Sequence, residues 1–256
     1  MLSKLLTAFI ALTLAFIGCS NQVAGSVPTE TRVKTALEHC QQGTALMKAG
    51  QYEQAILEFN QAIGLDPNYA IAYNNRGKAY YEKGEYEKAL LDFNKAIQLY
   101  PNYAMAYNNR GGTYSEKQDY EKALVDFNKA IELDPNLAGA YYNRGNFYAR
   151  KMDVNKALAD YNKALELDPN LSEALTRRGL GYVLKGEYDK AIADFTKAIE
   201  INPSDAQAYY YRGRTFAELG NKDKAITDLE TCIKLDPSLS KEAEPVIKEL
   251  LTQGGQ

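Results

Sequence analysis

The sequence predicts an all-α solenoid, a single row of six stacked helical hairpins closed at the C-terminus by one further helix. Three observations predict it. Pro67, Pro101, Pro135, Pro169, Pro203 and Pro237 follow one another at a constant interval of 34 residues. Aligned on those prolines the chain falls into columns, among them one of glycine (Gly43, Gly77, Gly111, Gly145, Gly179, Gly213) and one of large apolar or aromatic residues (Phe59, Phe93, Phe127, Tyr161, Phe195, Leu229). The third observation is compositional: 20 tyrosines stand against 8 phenylalanines and no tryptophan, which suits half-buried rings at the edges of a thin structure better than a thick core.

The bulk numbers permit a folded chain and narrow its partners. Hydrophobic residues make up 45% and charged residues 25%, ordinary for a soluble folded protein. The net charge of -3 gives a surface that does not attract polyanions, so nucleic acid is not expected as a partner.

Residues 1–18 have the layout of a signal peptide: one cation, Lys4, then the apolar run Leu5–Ile17, then Gly18 before Cys19. A helix that crosses a bilayer needs about 20 apolar residues, so this run is too short to serve as a spanning anchor. The stretch Leu14-Ala15-Phe16-Ile17-Gly18-Cys19 resembles the lipobox of bacterial lipoproteins, with Phe16 and Ile17 departing from the usual residues. That resemblance implies cleavage before Cys19, lipid attachment to Cys19, and residence in the bacterial cell envelope with the lipid as the only membrane contact. An ordinary secretory signal with an incidental cysteine is the other reading. Residues 19–35 are polar, with Gly25, Ser26 and Pro28, and read as a lipidated cysteine followed by a flexible tether, with a reach on the order of 20 Å.

Residues 36–239 divide into six units: 36–69, 70–103, 104–137, 138–171, 172–205 and 206–239. In each, the glycine column and an alanine column (Ala55, Ala89, Ala123, Ala157, Ala191, Ala225) let two helices approach, the bulky column fills the space beside them, and proline ends the second helix. Glycine inside a helix costs ~1 kcal/mol relative to alanine, so its recurrence implies a steric need. Gly50, Gly84, Gly186 and Gly220 mark the turn inside the hairpin; Gln118 and Met152 stand there in the third and fourth units, which predicts slightly altered turns. This pattern is similar to the tetratricopeptide repeat (TPR), and the resemblance covers residues 36–239. It implies antiparallel helix pairs wound into a right-handed superhelix with a concave groove. Residues 240–256 complete the chain as a capping helix and disordered tail: Ala243, Val246, Ile247, Leu250 and Leu251 have helical spacing, with the start placed near Pro245.

Two charge columns accompany the packing columns. Arg76, Arg110, Arg144, Arg178 and Arg212 precede the glycine, and Glu58, Asp92, Asp126, Asp160, Asp194 and Asp228 precede the bulky residue. Their joint recurrence predicts a structural bridge between the two helices of each hairpin, since a charge held out of water needs a partner. In the first unit Gln42 replaces the arginine. Cys40 and Cys232 lie at opposite ends of the array, so no disulfide between them is expected, and Cys232 fills an alanine slot as a small buried thiol.

The resemblance to TPR proteins implies that ligands bind in the concave groove, lined by repeat positions 2, 5, 6, 9, 12 and 13. Here those positions offer Asn74, Asn75, Lys78, Tyr81, Asn108, Asn109, Tyr142, Asn143, Asn146, Arg177, Tyr210, Tyr211 and Arg214. Asparagine presents both an acceptor and a donor to an extended peptide backbone, and Lys78, Arg177 and Arg214 attract carboxylates. The likeness to the chaperone-binding carboxylate clamp is partial, because the set of lysines is incomplete. The expected function is a protein-interaction scaffold that takes a partner protein or peptide, similar to TPR lipoproteins of cell-envelope assembly. The alternative is a glycan-binding module that uses the same asparagines and tyrosines. The single histidine, His39, stands where other units have tyrosine and has no metal-ligand or triad spacing, so neither catalysis, metal nor cofactor is expected.

Overall fold

The structure, a computed structural model, describes residues 29–252. The predicted signal peptide, Cys19 and the last four residues lie outside them. Among the described residues there are helices and no strands. The first helices of the six hairpins are α1 (Thr29–Lys48), α3 (Ala70–Glu82), α5 (Ala104–Glu116), α7 (Ala138–Arg150), α9 (Ser172–Leu184) and α11 (Ala206–Glu218). The second helices are α2 (Tyr52–Leu65), α4 (Tyr86–Leu99), α6 (Tyr120–Leu133), α8 (Val154–Leu167), α10 (Tyr188–Ile201) and α12 (Lys222–Leu235). A 3-10 turn (Pro237–Leu239) leads into α13 (Ser240–Thr252). None of these helices is long and apolar enough to cross a membrane.

Every helix packs on the next in sequence. Beyond that, first helices touch the first helices of neighbouring hairpins, whereas second helices do not touch one another. A row that is crowded on one side and splayed on the other must bend toward the crowded side. The first helices therefore line the inner, concave surface, and each hairpin relies on its neighbours to cover its apolar faces, as in other quasi-one-dimensional stacks.

The columns of the sequence explain how the hairpins close. A Cβ added at Gly43 would lie 2.6 Å from the Phe59 ring, one at Gly111 2.8 Å from the Phe127 ring, and one at Gly179 2.6 Å from the Phe195 ring. Those phenylalanines are fully buried. Glycine is thus the only residue that lets the ring lie flat against the facing helix backbone. In the sixth hairpin the bulky residue is Leu229, and the approach at Gly213 relaxes to 3.0 Å.

The turns within the hairpins are more uniform than the sequence suggested. Gly50, Gly84, Gly186 and Gly220 hold φ of 72 to 75°, and Gln118 and Met152 adopt the same left-handed conformation at 63° and 60°. The closing bonds match as well: Glu85 N donates to Tyr80 O at 2.9 Å, and Asp119 N to Tyr114 O at 2.8 Å. Helix packing on both sides dictates the turn, and the non-glycine residue bears the strain. A left-handed L-residue costs roughly 1–2 kcal/mol, part of which glycine gives back in unfolded-chain entropy. Gln118→Gly and Met152→Gly are therefore each expected to stabilise the fold by about 0.5–1 kcal/mol, read as a rise in urea midpoint; a fall in both would contradict the strain.

Both ends depart from expectation. The first helix begins at Thr29, so residues 29–35, assigned by composition to the tether, are helical. Between Pro28 and Gly43 nothing breaks a helix, and buried Ala36 and Cys40 anchor this one to the array. The capping helix starts at Ser240, and Pro245 sits inside it. Proline inside a helix forfeits one backbone bond and crowds the carbonyl four residues before it, and fully buried Ala243 packs against Leu229 and Cys232 in return. Cys40 and Cys232 are free and buried.

Candidate ligand groove

The recurrent charges are structural, as their repetition implied. In the second hairpin Arg76 Nε and a terminal nitrogen donate to the two Asp92 carboxylate oxygens, each at 2.7 Å. The third arm donates to Asn60 Oδ1 of the preceding hairpin at 2.6 Å. The pattern recurs at Arg110 with Asp126 and Asn94, at Arg144 with Asp160 and Asn128, and at Arg178 with Asp194 and Asn162. Arg212 holds Asp228 and Thr196 in the same way. Each arginine thus joins the two helices of its own hairpin and ties them to the hairpin before. The hydrogen bonds to Asp126 hold the Arg110 guanidinium above its ordinary pKa, and burial pushes the Asp92 carboxyl up. In the first hairpin His39 Nδ1 meets Glu58 Oε2 at 2.7 Å and takes over the arginine's place. Sequence reading assigned His39 no such partner. The signal was its position three residues before Gln42, one helical turn away on the same face.

The inner surface carries a ladder of amides. Asn109 Nδ2 donates to Asn74 Oδ1 at 3.0 Å, and Asn143 Nδ2 to Asn108 Oδ1 at 2.9 Å. At the first junction Asn75 Nδ2 donates to Thr44 Oγ1 at 3.4 Å. Each rung links repeat position 6 of one hairpin to the first helix of the hairpin before. Asn74, expected in the groove, is 2% exposed and so closed to a ligand; its side chain is consumed by Asn75 and Asn109. Asn75, Asn108, Asn109 and Asn143 remain half-buried, with part of their hydrogen-bonding capacity taken up by the ladder: Asn108 and Asn143 bond each other, and Asn75 and Asn109 both bond Asn74. The ladder stops after Asn143, because Tyr142 and Arg177 occupy the next pair of positions.

Beside the ladder lies a row of open cavities between successive hairpins. One of about 270 Å³ is bordered by Thr44, Met47, Asn75, Lys78 and Glu82. The next, about 200 Å³, is bordered by Lys78, Tyr81, Glu82, Asn108, Asn109 and Asn143. A third, about 270 Å³, collects Asn146, Arg150, Tyr161, Arg177 and Leu184. A fourth of about 270 Å³ collects Leu180, Tyr188, Tyr211, Arg214 and Glu218. Most of the expected groove residues are thereby brought to one surface. Tyr142 and Tyr210 stand beside the cavities instead of bordering them: the Tyr142 ring lies 6.2 Å from that of Tyr161, and Tyr210 packs edge-on to Tyr211 at 5.4 Å. Sequence reading missed Glu82, Arg150, Leu184 and Glu218. All four occupy repeat position 13, which the resemblance to TPR proteins had already placed in the groove, although only residues at the other positions were singled out.

A tetratricopeptide-repeat profile matches residues 70–103, 104–137, 138–171 and 206–239, more than half of the chain. A second profile, described as TPR repeat, matches residues 43–84 and 179–220. The chain belongs to the tetratricopeptide-repeat family. Among solved TPR structures, YrrB, described as a TPR protein with an unusual peptide-binding site, is 30% identical over 73% of this chain and 97% of its own, with a TM-score of 0.54. Cut9 in complex with Hcn1, from the APC/C, superposes with a TM-score of 0.80 at 18% identity, over 91% of this chain; the chain spans 45% of that one. PilW, a type IV pilus biogenesis factor, gives a TM-score of 0.70 at 22% identity over 83% of this chain and 98% of its own. At these identities the last two show the fold alone. A search of curated proteins found no match.

Proposed function

We propose that this TPR chain is a non-enzymatic scaffold that holds an extended segment of a partner protein along its inner surface, and that it works in the bacterial cell envelope, anchored through a lipid on Cys19. The observation that carries the reading is the row of cavities between successive hairpins, with polar side chains from α3, α5, α7, α9 and α11 spaced along it. Successive cavities suit successive side chains of one extended segment, and the amide edges beside them suit its backbone. The family's general use in protein–protein interaction and the peptide-binding site ascribed to YrrB support the same reading.

A photocrosslinking residue placed at Tyr81 or Tyr211 should trap a partner in cells, whereas one at Leu91, 69% exposed on the second helix of its hairpin, should not. Adducts from Leu91 alone would move binding to the outer face and defeat the proposal. Binding of purified wall polymer that survives loss of every protein adduct would favour a glycan ligand. Substituting the ladder amides is a poorer test, because Asn109 and Asn143 also join hairpins. For the anchor, Cys19→Ala should release the protein into the soluble fraction, and continued membrane retention would count against lipidation.

A further inference from the structure

A row of exposed apolar side chains runs along the rim where the first helices begin, and it is confined to the first three hairpins. At the second position of the repeat stand Leu37, Ile71 and Met105; the last three hairpins have Gly139, Glu173 and Gln207 there. Val33 precedes Leu37 by one turn on the same helical face, and these four side chains are 45 to 54% exposed. Tyr100, also exposed, stands at the junction before α5, where the other units have aspartate or asparagine. None of the five borders any of the four cavities, so the row lies outside the part of the groove that takes side chains.

Two further features set this end of the rim apart. The first is a spur. The neighbouring first helices begin at the first repeat position, Ala70 and Ala104, whereas α1 runs back from its equivalent, Ala36, to Thr29. Residues 29–35 lengthen α1 by about 10 Å and carry Val33 and Lys34, both exposed. The second is charge. Near the ends of the second helices the first two units have Gly64 and Gln98, where the next three have exposed Glu132, Glu166 and Glu200. Lys129 and Lys163 pair with two of these glutamates, but the equivalent Lys95 donates to the neutral Gln98. Lys34 and Lys95 offset Glu38 and Asp66 at the apolar end. An anionic lipid surface therefore repels the far part of the rim and tolerates the near part.

The chain reaches the array through the spur. The stretch from Cys19 to Thr29 spans at most about 35 Å, so a lipid on Cys19 keeps the apolar row within that distance of a bilayer and at high effective concentration beside it. Half-exposed aliphatic side chains gain by leaving water for the boundary between headgroups and acyl chains, and tyrosine suits that boundary with an apolar ring and a wet hydroxyl.

The geometry points to a second membrane contact: the row from Val33 to Met105 rests on the lipid surface and orients the array, so that the last three hairpins stand away from the bilayer. This rests on the lipid anchor proposed above and adds how the anchored array is presented.

The chain has no tryptophan, so a single introduced one reports its own surroundings. The full chain, extracted from bacterial membranes, is reconstituted into vesicles of phosphatidylethanolamine and phosphatidylglycerol that contain a lipid brominated in its acyl chains. Met105→Trp should shift its emission to the blue and lose about half its intensity to the brominated lipid. Leu91→Trp, on a second helix, and Leu219→Trp, at the opposite rim, should emit as in water and keep their intensity. Adding Leu37→Ser and Ile71→Ser to the Met105→Trp chain should restore its emission while the protein still floats with the vesicles and keeps its helicity. Flotation with Met105→Trp unquenched overturns the contact and leaves the anchor standing. A blue shift without quenching gives the row to a second copy of the chain, and quenching of Leu91→Trp instead lays the array on its outer face; either overturns the contact. Failure of the unmodified chain to float sinks the anchor and the contact together.

Discussion

Asp126→Ala is expected to cost about 3–5 kcal/mol of stability, measured by urea denaturation followed by circular dichroism. Asp126 is 3% exposed and accepts two hydrogen bonds from Arg110, both at 2.8 Å. Removing the carboxylate strands the guanidinium of an arginine whose side chain is only 19% exposed and which also spans to Asn94. The cost comes mainly from that abandoned charge and less from the lost attraction. The double replacement Arg110→Met with Asp126→Leu should accordingly lose much less than the single one, since it removes both desolvation penalties together. Because the third hairpin lies inside the stack, the loss should appear as a broadened or split transition, with the array parting at that junction. A loss below about 1 kcal/mol for the single variant would show that water reaches the pair more freely than its burial implies.

Two adjacent glycines should respond to alanine with opposite signs. At Gly111 a Cβ would lie 2.8 Å from Phe127 Cε1 and 3.2 Å from the Ala123 carbonyl oxygen. Backbone cannot step aside cheaply, so overpacking of about 1–3 kcal/mol outweighs the helix propensity gained, and Gly111→Ala should be destabilising by about 1–2 kcal/mol. At Gly112 nothing lies within 4 Å of the added atom. There the propensity gain stands alone, and Gly112→Ala should stabilise by about 0.5–1 kcal/mol. Phe127→Leu should recover part of the loss at Gly111, because the sixth hairpin already pairs its glycine with Leu229 at the wider spacing of 3.0 Å. Equal effects at Gly111 and Gly112 would rule out the close ring contact as the reason for the glycine column.

Much of this was legible from residues alone. The interval between Pro67 and Pro237 set the number and length of the hairpins, and the pairing of Arg110 with Asp126 followed from both charges recurring together. The groove was less legible. Asn74 and Asn75 are neighbours in sequence and identical in chemistry, yet one is closed off by the adjoining hairpin and the other stays half-buried. Nothing local separates them; the difference arises from how far the next first helix reaches across.

The ends and turns teach the same distinction. Composition placed a tether over residues 29–35, and proline's preference for the first helical position placed a helix start near Pro245; packing of Ala36 and Ala243 overrode both. Gln118 and Met152 were read as altered turns, but the helices they connect impose the left-handed backbone whatever residue stands there. The sequence by itself determined the periodic quantities: hairpin count, packing columns and charge pairs. Those depend on spacing along one chain, which repetition amplifies. Tertiary structure alone decided which polar groups still face a ligand and which cavities they border, because both are set by side chains 30 or more residues apart meeting across a junction between hairpins.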